Sequence, residues 1–118
     1  MAGTQLRAQT RICPVGLSND QCDRWQFERA EVELTSVVAM AIAKIDEVVS
    51  LDTRQEAKAQ LEQAQQSWVR TRNADCQSES AFLWHRSART REGTTATCLK
   101  RLTTARIEEM KKRYFLAH

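Results

Sequence analysis

The sequence has few residues that interrupt helices and no long apolar run. One proline and three glycines in 118 residues argue against a many-turned β fold and favour long helices. The longest apolar run, 37–43, is too short to cross a bilayer. No C-x-x-C pair occurs, and His85 and His118 lack the spacing of zinc ligands. We therefore expect no transmembrane segment, no metal and no cofactor.

Charge is well mixed along the chain. Lysine and arginine number 18 against 15 acidic residues, a net charge of +3. This mildly basic balance is compatible with an anionic partner but falls well short of a nucleic-acid-binding surface. Nucleic acid is therefore not expected as the partner, and the length predicts one domain.

The first predicted helix follows an irregular segment, residues 1–17. Ser18 and Gln21 form a capping-box pattern, which predicts a helix over about 20–49 and a single helical domain over 18–118. One apolar stripe has spacings of three, four and seven: Trp25, Val32, Val38, Ile42, Ile45 and Val49. A second stripe makes the half from 34 to 49 apolar around much of its circumference, which favours a central position or a docked partner.

Two further helices are predicted. A second capping-box pattern, Thr53 with Glu56, precedes a helix that ends near Phe82, and the third helix covers about 95–114. The segment 83–93 is predicted as a loop, in which Gly93 supplies a turn. Short connections between three helices predict an all-α fold, an antiparallel three-helix up-down-up bundle.

Four cysteines complete this prediction. An even number in a short chain favours two disulfides in an oxidising compartment, over four free thiols in the cytosol or a zinc site. A hairpin of helices two and three brings Cys76 beside Cys98 and leaves Cys13 to pair with Cys22. We expect a periplasmic or secreted protein. Because 1–5 has no apolar signal core, we expect a mature form without its signal peptide.

Two motifs occur on the predicted second and third helices. Gln65, Trp68, Arg72 and Cys76 follow the spacing Q-x-x-W-x-x-x-R-x-x-x-C, and residues 98–106 read C-x-x-x-L-T-x-x-R up to Arg106. With the cysteine pair 13 and 22, the chain resembles the LprI-like lysozyme-inhibitor family over most of 13–114. It departs from the family at Asn73, where aspartate is usual, and in the arginine-rich loop. The resemblance implies an exported bacterial protein, and some family members inhibit lysozyme.

The first motif lies on one helical face. It could be a recognition surface, but we interpret it as structural, with Trp68 packed and Gln65 and Arg72 hydrogen-bonded. Arg106 is expected to lie near Asp75 or Glu79, because a forked arginine–carboxylate pair fixes helix register.

The predicted loop holds the candidate target-binding residues: Trp84, His85, Arg86, Arg89 and Arg91. Tryptophan and arginine are enriched in binding hot spots. We expect these side chains to be exposed, with only Glu92 opposing their charge; the alternative is a solvated basic loop. No catalytic residue is predicted, because the cysteines have pairing partners and the acids are scattered among basic residues.

The resulting hypothesis is an inhibitor of a peptidoglycan-cleaving glycoside hydrolase, whose paired carboxylates the cationic loop would bind. The target would be a host lysozyme or a rival bacterium's toxin, in which case the chain is an immunity protein. Its own basic charge disfavours a strongly basic lysozyme. The alternatives are an anion-binding module for nucleic acid or membrane surfaces and a structural homodimer through helix one.

Overall fold

The computed structural model describes residues 12–115, and that part of the chain is all-helical. Helix α1 covers Asn19–Val48, α2 covers Leu51–Leu83 and α3 covers Arg91–Tyr114, and a single 3₁₀ turn, Trp84–Arg86, follows α2. Of the predicted irregular segment 1–17, residues 12–17 are described and are not helical. Residues 1–11 and 116–118 lie outside the described part of the chain. None of the described helices is long and apolar enough to cross a membrane.

One of the three helices begins as the sequence predicts, and the other two begin earlier. At α1 the Ser18 hydroxyl accepts from the Gln21 amide, and the Gln21 side chain accepts from the Ser18 amide, as predicted. The capping box predicted at Thr53 is wrong, because α2 already begins at Leu51. The third helix begins at Arg91, four residues earlier than predicted, with the Thr90 hydroxyl accepting from the Gly93 amide. Gly93 therefore belongs to a helix and not to a turn.

Both predicted disulfides are present. Cys13 pairs with Cys22, and Cys76 pairs with Cys98, each with Cα atoms 5.5 Å apart. The second bridge is fully buried and joins α2 to α3 beside Phe27 and Leu99. The two helices that flank the 3₁₀ turn are thus covalently fixed to each other.

The core is built on the second apolar stripe of α1. Its buried members are Leu34, Val37 and Ala41. Together with Ile45 of the first stripe, they pack against Leu61 of α2 and against Ile107 and Met110 of α3. Val48, also of the second stripe, is 68% exposed. The first stripe is only partly inside: Val38, Ile42 and Val49 flank the core. The expectation for Val32 is wrong, because this side chain is 61% exposed.

Polar contacts give the pairing of the helices. Between α1 and α2, Asp46 meets Lys58 while Glu31 meets Arg72, so numbers rise on one helix as they fall on the other. Between α1 and α3, Asp23 meets Lys100 and Glu33 meets Lys111, so the numbers rise together. Because these contacts extend along α1, they bring the start of α3 and the start of α1 to the same end of the molecule.

Candidate target-binding site

An alternating stack of aromatic rings and guanidinium groups occupies the middle of the molecule. The Arg72 guanidinium carbon lies 5.2 Å from the ring centroids of both Phe27 and Trp68. The guanidinium carbon of Arg106 also lies over the ring of Trp68, 5.4 Å from its centroid. Each contact is a cation–π interaction, which is strongest where water is excluded.

Hydrogen bonds fix both arginines of the stack. Arg72 is 4% exposed and donates from both terminal nitrogens to Glu31, at 2.7 and 3.0 Å, and to the hydroxyl of Thr103. Arg106 is 6% exposed and donates to the side-chain oxygen of Gln65 at 3.1 and 3.2 Å. These contacts favour the structural interpretation of the motif.

The partner expected for Arg106 is wrong. Its one ion pair among the described residues is with Glu109, on its own helix, and its cross-helix partner is the neutral amide of Gln65. Burial lowers the pKa of Arg106 from its ordinary value. Glu79, one of the two predicted partners, instead pairs with Arg101 at 2.8 Å.

The candidate site is the end of the hairpin between α2 and α3, called here the tip (residues 82–91). Phe82 is 62% exposed and Trp84 41% exposed, and the rings of Trp84 and His85 meet edge to face. The Arg86 guanidinium lies over the ring of Phe82, with 5.2 Å to the centroid. The tip therefore presents aromatic and cationic groups together to solvent.

Arg89 does not share this exposure, so the prediction for it is wrong in that respect. Its side chain turns back onto α1, where it donates to Asp20 at 2.6 Å and to Asp23, and also to the Thr97 hydroxyl. Lys100 reaches the same Asp23 at 2.8 Å. Glu92 is therefore not the only acid that opposes the basic loop, and Arg89 anchors the tip to α1.

Asp20 is the second half of this anchor. It accepts from both the amide and the hydroxyl of Thr90, at 3.0 and 2.8 Å, and these bonds, with Arg89, lower the pKa of Asp20. Its carboxylate lies directly on Gly93, where a Cβ atom would overlap it. Burial opposes ionisation of Asp23, but hydrogen bonds from Lys100, Arg89 and Thr97 outweigh it and lower the pKa of Asp23.

The last predicted residue, Arg91, opens α3 with its side chain exposed. Its carbonyl accepts from the buried hydroxyl of Ser80, at 3.1 Å, which ties the start of α3 to the end of α2. The tip is thus braced by the Cys76–Cys98 disulfide, by this bond and by the anchor on α1. Four of the five predicted residues remain available to a partner: Trp84, His85, Arg86 and Arg91.

Sequence reasoning missed two exposed apolar residues, Phe82 and Leu83, because they fit the end of an amphipathic helix equally well. The signal that could have found them is their position directly before Trp84, which makes three consecutive large apolar residues at a helix end. Among residues 12–115 no group of three histidine, cysteine or acidic side chains could hold a metal ion. Exposed rings beside guanidinium groups are instead suited to binding a protein surface that carries carboxylates.

A family model identifies the relatives of this chain. The model of the lysozyme inhibitor LprI matches residues 15–110, well over half of the chain. The chain belongs to the LprI family. Of the motif residues within this range, Trp68, Arg72 and Arg106 belong to the aromatic–arginine stack, and Cys76 and Cys98 form the buried disulfide, which favours a structural role for the motif. No curated protein and no solved structure matches the chain.

Proposed function

We propose that this protein inhibits a peptidoglycan-cleaving glycoside hydrolase by placing its tip in the enzyme's substrate cleft. The observation that carries the proposal is the joint exposure of Phe82, Trp84 and Arg86 on a hairpin end braced at three points. Membership of a lysozyme-inhibitor family supports the class of target. Because the family is one of inhibitors, we propose that the chain acts by binding.

The mechanism follows from the chemistry of such enzymes. Their active site is an open cleft in which two carboxyl groups flank the glycosidic bond that is cleaved. Arg86 and Arg91 pair with these carboxylates, while the rings of Trp84 and Phe82 pack where sugar rings would bind. His85 contacts the rim. The braced hairpin has little motion to lose, which reduces the entropic cost of binding.

We propose that this activity lies outside the cytoplasm, in the periplasm or in the secreted fraction, because structural disulfides form and persist mainly in oxidising compartments. A toxin from a rival bacterium is a target there as well as a host lysozyme. A neighbouring gene for a secreted muramidase would support the immunity role.

We also propose the up-down-up order of helices, which the contact pairs along α1 support.

Inhibition assays test the proposal. The disulfide-bonded protein is titrated into animal lysozymes and secreted bacterial muramidases, with peptidoglycan hydrolysis as the readout. The proposal expects saturable, stoichiometric inhibition of at least one enzyme, with modest loss between low and moderate salt. Failure to inhibit any of them would contradict it. Binding to nucleic acid or anionic vesicles that weakens steeply with salt would instead favour the anion-binding alternative.

A second candidate, a homodimer through helix one, is favoured by a specific observation. At the end of the molecule opposite the tip, an apolar groove lies among the three helices, lined by Ala41, Val48, Ala57, Leu61 and Tyr114. Val48 is 68% exposed at its edge. Sedimentation at micromolar concentration should then give a dimer that Val48→Asp dissociates. A strict monomer would exclude this proposal and leave inhibition untouched.

A further inference from the structure

The segment 12–17, which runs into the loop closed by the Cys13–Cys22 disulfide, exposes three apolar side chains. Val15 is fully exposed, Ile12 is 66% exposed and Leu17 is 38% exposed. These three side chains are called here the apolar knuckle. None of them belongs to either hydrophobic core cluster. Exposed apolar side chains close together in sequence on a constrained loop are candidates for a protein-binding surface.

The backbone of this loop presents the knuckle in a fixed way. Val15 and Gly16 form a turn after Pro14, and Gly16 has a φ of +95°, a conformation that side chains other than glycine rarely adopt. The disulfide closes the turn at one end of the loop, and the Ser18 capping box fixes the other end to α1. Val15 is therefore held at the apex of a rigid loop.

The knuckle lies beside the tip. Leu17 lines one groove together with Trp25 of α1 and with Thr90, Glu92 and Gly93 from the start of α3. Thr90 and Gly93 are the residues that contact Asp20 in the anchor of the tip. The disulfide loop and the tip are thus two rigid elements at one end of the molecule, separated by a shallow groove with an apolar wall.

We propose that the apolar knuckle is a second contact element for the same glycoside hydrolase, packing on apolar surface beside the cleft that receives the tip. This inference rests on the proposed function. The tip supplies charge and aromatic rings to the cleft, and the knuckle adds apolar area outside it. Glu92 is exposed at the edge of the shared groove, where its carboxylate is available to a basic group of the enzyme.

Charge substitutions on the knuckle test the inference in the full, oxidised chain. Val15→Asp should weaken inhibition at least about ten-fold, because a charge cannot be buried against apolar surface without cost. Since Val15 makes no core contact, the melting temperature should not change. Met40→Asp is the matched control: Met40 is 54% exposed and lies about 30 Å along α1 from the loop, so inhibition should persist.

The outcomes separate this inference from the proposed function. If Trp84→Ala abolishes inhibition while Val15→Asp inhibits like the wild type, the tip is sufficient and the knuckle proposal is wrong. If Val15→Asp changes the sedimentation of the free protein, the knuckle contacts a second copy, which also overturns it. If the wild type inhibits no lysozyme or muramidase, both proposals fail together.

Discussion

The guanidinium of Arg89 lies 2.6 Å from the carboxylate of Asp20, although 69 positions separate the two residues. This ion pair fastens the tip to the first turn of α1. Asp23 accepts from the same guanidinium, so one arginine spans two acids one helical turn apart. The orientation of the tip is therefore set by a helix that is distant in sequence.

Removal of Arg89 should destabilise the protein. Arg89→Ala leaves Asp23, whose side chain is 13% exposed, with fewer donors, and the expected loss of unfolding free energy is about 1–3 kcal/mol. Arg91→Ala is the control, because Arg91 is exposed and uses only its backbone carbonyl in the fold. Chemical denaturation of both variants distinguishes them, and equal stability of the two would contradict the anchor.

The anchor also predicts sensitivity to acid. The pKa of Asp20 and that of Asp23 are both lowered in the folded protein. Their ionisation therefore stabilises the fold above their unfolded pKa, near about pH 4, and this contribution is lost as pH falls through the lower folded values. Asp20→Asn with Asp23→Asn should be less stable at neutral pH and should lose less stability on acidification than the wild type. If the unfolding free energies of the two proteins fell in parallel with decreasing pH, the anchor would not be the source of the acid sensitivity.

Gly93 tests the closeness of α1 and α3. In a helix, alanine is normally more favourable than glycine by about 1 kcal/mol. Gly93→Ala should instead destabilise, by about 1–3 kcal/mol, because the added methyl group overlaps the Asp20 carboxylate. A double-mutant cycle with Asp20→Ala provides the control: the penalty should shrink or reverse once the carboxylate is gone. An unchanged penalty would place the clash elsewhere.

Two tryptophans should respond in opposite ways. Trp68 contacts the guanidinium groups of both Arg72 and Arg106, so Trp68→Ala should cost roughly 3–5 kcal/mol and unfold much of the protein at moderate temperature. Trp84 is exposed at the tip, and Trp84→Ala should melt like the wild type. A stable Trp68→Ala variant with intact near-ultraviolet circular dichroism would refute the structural role of the stack.

The sequence predicted what depends on local spacing. The three helices follow from apolar periodicity and scarce glycine and proline, and the Ser18 box follows from a four-residue pattern. The pairing of Cys76 with Cys98 follows from the hairpin. Each of these features is fixed by residues close in sequence or by one simple geometric step.

Features set by tertiary contacts could not be predicted in the same way. Nothing in the spacing of Arg89 shows that Asp20 and Asp23 face it from α1. The choice of Gln65 over an acid as the partner of Arg106 depends on the helix register. Val32 fits an apolar stripe, yet the stripe that is buried depends on where α2 and α3 cross α1.

We expect inhibition to depend on the exposed tip and not on the structural stack. The most direct measurement compares the inhibition constant of Trp84→Ala with Arg86→Ala, combined in one variant, with that of the wild type, beside a thermal melt of each. We expect a loss of binding free energy of about 2–5 kcal/mol, typical when one partner of a desolvated charge pair is removed, with an unchanged melting temperature. Full inhibition by this variant would contradict it.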